Sequence, residues 1–100
     1  SLTVDMDVPH QKLTMTGSVS GTRSFITSNR SAGATEVKSV SLKILNSASG
    51  IVTLSPHGSW KFIGGAAGNR DIADGKTAIL SLTSYSTGEA DVVAAYAVEP

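Results

Sequence analysis

The sequence predicts an all-β protein: an antiparallel β-sandwich or jelly-roll-like domain of about seven or eight short strands. Three observations lead there. Apolar residues recur with a period of two in short runs, and no run has helical period. Turns rich in glycine and serine separate these runs at regular spacing, the pattern of sandwiches, jelly rolls and partly closed barrels. From Ile51 to Val98, nearly every charge falls in a turn or at a strand end. A chain of 100 residues is expected to form one domain, 1–100. At that size it buries roughly two thirds of the surface its unfolded form exposes, enough for one core without cross-links.

Leu2, Val4, Met6 and Val8 alternate with Thr3, Asp5 and Asp7, which predicts a half-buried strand ended by Pro9. Leu13, Met15 and Val19 alternate with Thr14, Thr16, Ser18 and Ser20, and Gly17 marks a bulge in that row. A less regular strand runs from Thr22 to Ser28, with Phe25 and Ile26 as its large apolar groups. Asn29 to Ala34 is loop by composition. Val40, Leu42 and Ile44 face one way, and Ser39, Ser41 and Lys43 the other. After a turn at Asn46 to Gly50, Ile51–Leu54 and Trp60–Ile63 flank Ser55-Pro56-His57-Gly58-Ser59. Proline early and glycine late in that connection predict a hairpin. Gly64 to Gly75 is the longest irregular stretch. In the strand Thr77–Tyr85, Ala78, Leu80 and Leu82 point inward and Ile79 is an apolar exception on the outer face. Ser86 to Gly88 turns the chain, and Ala90 to Val98 closes it.

Composition excludes several classes. Eight basic residues balance eight acidic ones, and the basic residues are scattered. A nucleic-acid or anionic-membrane binder would show a basic excess. With no cysteine there is no disulfide, thiolate metal site or cysteine nucleophile. No run approaches the roughly 20 apolar residues of a membrane-spanning helix.

The motifs that could carry chemistry have plainer explanations. His10 and His57 each lie beside a proline, without metal-ligand spacing, and read as surface turn histidines. Asp5 and Asp7 share a strand face, where paired carboxylates can hold calcium or share a proton. On a wet strand face they serve better as solubilising, edge-protecting charges. Asp71, Asp74 and Gly75 lack the spacing and distal glutamate of a calcium loop. Gly75-Lys76-Thr77 ends like a phosphate-binding loop, but Arg70 stands where the first glycine is needed, and a strand follows rather than a helix. No G-x-S-x-G elbow occurs among the 15 serines. No catalytic, cofactor or metal site is therefore expected. Exposed aromatics stack on sugar rings, so Trp60 and Tyr85, with Asn69 and Arg70 in the long loop, are candidate ligand contacts. Trp60 shares a face with Phe62, which favours burial.

The second half of the chain carries a pattern of its own. An aromatic-x-Phe pair precedes Gly-Gly (Trp60, Phe62, Gly64, Gly65), and a variable loop follows. A Gly75-Lys76 turn then enters the Leu-rich strand Thr77–Tyr85, and Asp91-Val92-Val93-Ala94-Ala95-Tyr96 ends the pattern. In this the chain resembles a small β domain of tail-fibre, tail-spike and related virion proteins of tailed bacteriophages. Ile63 and Ala66-Ala67-Gly68 replace that family's usual proline and proline/threonine-rich loop. The resemblance implies a non-enzymatic virion structural protein, commonly homotrimeric, that contacts other virion proteins and a host-surface glycan. Binding would use the loops Asn29–Ala34 and Gly64–Gly75. Val93, Ala95 and Ala97 oppose Val92, Ala94, Tyr96 and Val98, so the last strand is apolar on both sides. Such a strand is either central in a two-layer core or packed on a neighbouring chain, which makes these three residues candidate oligomer contacts. The alternatives are a carbohydrate-binding module and a capsid decoration protein.

Overall fold

A computed structural model describes residues 2–16, 21–31, 33, 35–47, 50–64 and 70–100. The strands are β1 (Leu2–Asp5), β2 (His10–Met15), β3 (Gly21–Ser28), β4 (Lys38–Asn46), β5 (Val52–Ser55), β6 (Lys61–Phe62), β7 (Arg70–Ile72), β8 (Thr77–Ser84) and β9 (Val92–Val98). A single 3-10 turn, Glu89–Asp91, precedes β9 and is the only helical element among the described residues. The all-β expectation is met.

The strands form two sheets. Sheet I has the order β1-β3-β5-β7 and sheet II the order β2-β4-β8-β9-β6. Both are mixed, so they are not the antiparallel sheets the sequence pattern suggested. The ladders β1/β3, β3/β5, β2/β4 and β6/β9 are parallel, and β5/β7, β4/β8 and β8/β9 are antiparallel. The cause is the route of the chain. From β1 to β5 successive strands alternate between sheets, so each strand pairs with the next but one. Parallel neighbours need a crossover of a dozen or more residues; here the crossover is a strand of the opposite sheet. β8 and β9, adjacent in sequence, pair antiparallel in one sheet.

The expected hairpin across Ser55–Ser59 does not form. Its first arm becomes β5 in sheet I, and its second becomes β6 at the edge of sheet II, paired with β9. Both arms have one apolar face, and that pattern is equally satisfied in either layer. Crossing layers sets Trp60 into the core at 4% exposure. The first strand is also shorter than its alternation suggested. The chain leaves sheet I after Asp5 to reach sheet II, which leaves Val8 43% exposed. The bulge expected at Gly17 lies outside the described residues.

One apolar cluster joins the two inner faces. Sheet I supplies Val4, Phe25, Val52, Leu54 and Ile72; sheet II supplies Val40, Leu42, Ile44, Ala78, Leu80, Leu82, Val92 and Ala94. Burying each large side chain here is worth about 1.5–3 kcal/mol over leaving it exposed. Between β7 and β8, Gly75 takes φ +77° at the third position of the turn Ala73–Lys76, where the Lys76 amide donates to the Ala73 carbonyl at 3.0 Å. Glycine is suited to that left-handed conformation because it has no Cβ to clash.

Candidate functional site

A polar cluster closes one end of the molecule, where the end of β3, the end of β8 and the 3-10 turn meet. Its centre is Glu89. The Thr27 amide donates to Glu89 Oε2 at 3.0 Å, and the Trp60 indole N–H donates to Oε1 at 3.0 Å. The Thr27 hydroxyl also donates to Oε1. Arg30 Nη1 lies 3.6 Å from Oε2 and donates to the Thr27 carbonyl at 2.6 Å, while its Nε donates to the Thr87 carbonyl at 2.7 Å. Burial pushes the Glu89 carboxyl upward. The Thr27 hydroxyl, the Trp60 indole, the Thr27 amide and the Arg30 charge outweigh that and hold it below the ordinary glutamate value.

Beside this hub a serine pair fixes the loop after β3. Ser31 and Ser84 are fully buried. The Ser31 amide donates to Ser84 Oγ at 3.0 Å, and the Ser31 hydroxyl reaches the Ser84 and Ser86 carbonyls at 3.1 and 3.0 Å. The Tyr85 amide donates to the Asp91 carbonyl at 3.1 Å, yet the Tyr85 side chain is 51% exposed. An exposed aromatic ring is thus carried by backbone anchored on both sides. Chemically, the ionised Glu89 is an acceptor filled by donors and suits a structural clamp better than a proton shuttle. Among the described residues no group of three or more His, Cys, Asp or Glu is placed to hold a metal ion.

The predicted contacts fall in different places. Trp60 is buried, as its shared face with Phe62 favoured, and its polar edge is occupied by Glu89; it offers no ring to a ligand. Asn69 lies outside the described residues. Arg70 opens β7, half-buried, in register with Leu54. Its charge acts on Tyr96, whose hydroxyl is pushed above the ordinary phenol value by burial, with Arg70 pulling it back and Asp71 adding to the rise. Arg70 stands on β7 of sheet I, whereas Tyr85 directly follows β8 of sheet II.

The loop Asn29–Ala34 begins as an anchored segment, because Arg30 and Ser31 are both tied down; residues 32 and 34 lie outside the described set. The stretch from 64 to 75 is interrupted by β7. Asp5 ends β1, and its carboxylate accepts from Asn29 Nδ2 at 2.8 Å and the Asp7 amide at 2.9 Å, bonds that hold it below the usual carboxylate value. Asp7 pairs with Lys38 at 2.6 Å, and that hydrogen bond raises the Lys38 ammonium. These aspartates are committed to turns. His57 is likewise engaged: its Nδ1 accepts from the Ser59 amide at 3.0 Å, and its ring stacks on Trp60 with centroids 6.5 Å apart.

Compared with known protein families, curated proteins and solved structures, the chain matches none. Its functional reading therefore rests on its own residues. Val93, Ala95 and Ala97 lie on the outer face of β9, in register with Thr83, Ser81 and Ile79 of β8. β9 lies between β8 and β6 in the sheet, and on its outer face Val93 and Ala95 are half-buried and Ala97 is exposed. Sequence reasoning missed the Glu89 hub. A buried tryptophan demands an acceptor for its N–H, but nothing in the pattern says that the acceptor comes from a turn 29 residues away. Among the described residues no helix is long and apolar enough to cross a membrane.

Proposed function

We propose that the chain is a non-enzymatic structural module of a bacteriophage particle, a tail-fibre-like domain for assembly and host-surface attachment. We read its two sheets as the layers of a rigid sandwich. The observation that carries the reading is the pinned exposed aromatic. Tyr85 projects at the end of β8 while the backbone around it is fixed by the Ser31–Ser84–Ser86 bonds and by Asp91. A ring held this way stacks on a flat sugar face with little loss of conformational entropy. The sequence pattern from Trp60 to Tyr96 supplies the virion context by resemblance.

A glycan array and a pull-down on bacterial envelopes with labelled protein test this reading. Binding is expected, and Tyr85→Ala should lower it at least tenfold without changing the melting temperature. Absence of envelope and glycan binding, together with co-sedimentation on phage capsids, would replace host attachment with capsid decoration.

A further inference from the structure

We infer that two copies of this chain join edge to edge about a two-fold axis, the β1 edge of each pairing with the β2 edge of the other. The association is independent of any role in a virion. It begins with an open side of the molecule. β1 ends sheet I and β2 ends sheet II, and both edges lie on the same side, since they flank one groove. That groove, about 100 Å³, opens between the layers among Leu2, Val4, Leu13, Phe25 and Leu42. The chain reverses between the two strands: Gln11 Nε2 near the start of β2 donates to the Asp5 carbonyl at the end of β1, at 2.7 Å. β1 and β2 therefore run in opposite directions in their separate layers.

A two-fold axis along the strands, passing through this open side, exchanges the layers. Sheet I of one copy then continues into sheet II of the other. The strands that meet are β1 and the partner's β2, and they meet antiparallel. Such an axis adds no shift along the strands, so the register follows from the protein's own geometry. Residues 2–4 of β1 and 11–13 of β2 line the groove, and centring these segments on each other sets Leu2 against Leu13. Thr3 then faces Lys12 and Asp5 faces His10 across the junction.

Three properties agree with that register. The first is backbone direction. In a parallel ladder alternate residues give both backbone groups to the same neighbour. The Met6 amide donates to Ser28, so even-numbered residues of β1 serve β3 and Thr3 and Asp5 point outward. Ser41 donates to the Pro9 carbonyl and Ser47 to the Met15 carbonyl, so odd-numbered residues of β2 serve β4 and His10 and Lys12 point outward. The free groups of one edge thus oppose the free groups of the other. Thr3 and Lys12 exchange both backbone bonds, and the Asp5 amide reaches the His10 carbonyl. The Asp5 carbonyl is already taken by the Val8 amide and Gln11.

The second property is side-chain face. Val4 is buried and Thr3 exposed on β1; Leu13 is half-buried and Lys12 exposed on β2. The register sets outer residues against outer residues and closes Leu2, Val4 and Leu13 over a shared groove. The third is charge. Asp5 comes diagonal to Lys12, which makes no ion pair among the described residues. The alternative two-fold, perpendicular to the sheets, pairs β1 with β1 and β2 with β2, so Asp5 and Lys12 each face a strand that carries only their own sign of charge. Like charges across a strand pair are destabilising, so the charges favour the first arrangement.

The test exploits the absence of cysteine in the chain. Thr3→Cys and Lys12→Cys in one chain should give a covalent dimer on a non-reducing gel after mild oxidation. Facing residues in a hydrogen-bonded antiparallel pair have Cα atoms about 5.5 Å apart, within disulfide reach. Inside one copy the two positions lie on opposite layers, about 10 Å or more apart, beyond it. Each single variant should stay uncrosslinked. Sedimentation velocity supplies the second measurement. Lys12→Pro removes an outward donor that no internal bond uses, and should abolish dimers while keeping the far-ultraviolet spectrum. Thr3→Lys should weaken the dimer about fivefold or more, and adding Lys12→Glu should restore it. A monomer at all concentrations, a dimer crosslinked by Thr3→Cys alone, or a trimer unaffected by Lys12→Pro would each overturn the inference.

Discussion

The two ends of this molecule build sheet by different means. β8 and β9 are neighbours in sequence and in space, joined by a short turn and paired antiparallel over Ala78–Ser84 and Val92–Val98. The first five strands never pair with the strand next in sequence. They wind between the layers, and each ladder closes only after the opposite layer has been visited. The comparison shows that similar alternating patterns serve both constructions. What differs is the length of chain that must be ordered before a ladder forms. Closing longer loops costs more entropy before any contact offsets it, so the β8–β9 unit should form first and the wound half should add to it.

Paired core truncations test that order with the largest expected effect. Leu82 in β8 and Leu54 in β5 are both essentially fully buried. Leu82→Ala and Leu54→Ala should each cost about 2–5 kcal/mol in urea unfolding. Stopped-flow kinetics should separate them: Leu82→Ala should slow folding, while Leu54→Ala should mainly speed unfolding. Equal folding rates would break the comparison.

Glu89 ties the two halves together, since it sits between β8 and β9 and binds Thr27 of β3. Glu89→Gln leaves a buried donor without its acceptor and should cost about 1–3 kcal/mol. The pH dependence has a definite sign. The folded carboxyl lies below its ordinary value of 4.5, so its contribution is complete above about that pH and is lost as pH falls through the lower folded value. The stability gap between wild type and Glu89→Gln should therefore be full at pH 6 and shrink on acidification toward pH 3. Trp60 fluorescence reports it directly through the indole bond.

Gly75→Ala is expected to cost about 1–2 kcal/mol, because φ is +77° there although space around the position is open. This should appear as a lower melting temperature, and the turn lies at the passage from the wound half into β8. The smallest effect belongs to Tyr85→Ala, expected within about 0.5 kcal/mol of wild type. Its exposed ring supports no core, so a large loss of stability would show that the ring is not free to meet a ligand.

Much of the strand inventory was legible. Val40, Leu42 and Ile44 on β4, and Ala78, Leu80 and Leu82 on β8, are buried where alternation put them, and Ile79 is exposed as the exception. Trp60 is buried beside Phe62 as their shared face suggested. Partners were not legible. Ile51–Leu54 and Trp60–Ile63 read as two arms of one hairpin and ended in different sheets. Leu2 to Val8 read as one strand, yet Asp5 ends it, because a turn built on the Asp5 carboxylate and carbonyl begins there. The candidate contacts fared in the same way: exposure of Tyr85 followed from its place at a strand end, whereas the placement of Arg70 in the other sheet did not.

Alternation by itself determined which residues of most strands face inward, because a period of two is a property of each strand alone. Composition likewise determined that this core is built without cross-links. Only the tertiary structure decided which strand lies beside which, in which layer and in which direction. Backbone hydrogen bonds carry no residue identity, and any strand with one apolar face can satisfy either sheet. The choice was made by joint closure of one core, with Trp60 donating to Glu89 at one end of it and Ser31 locked against Ser84.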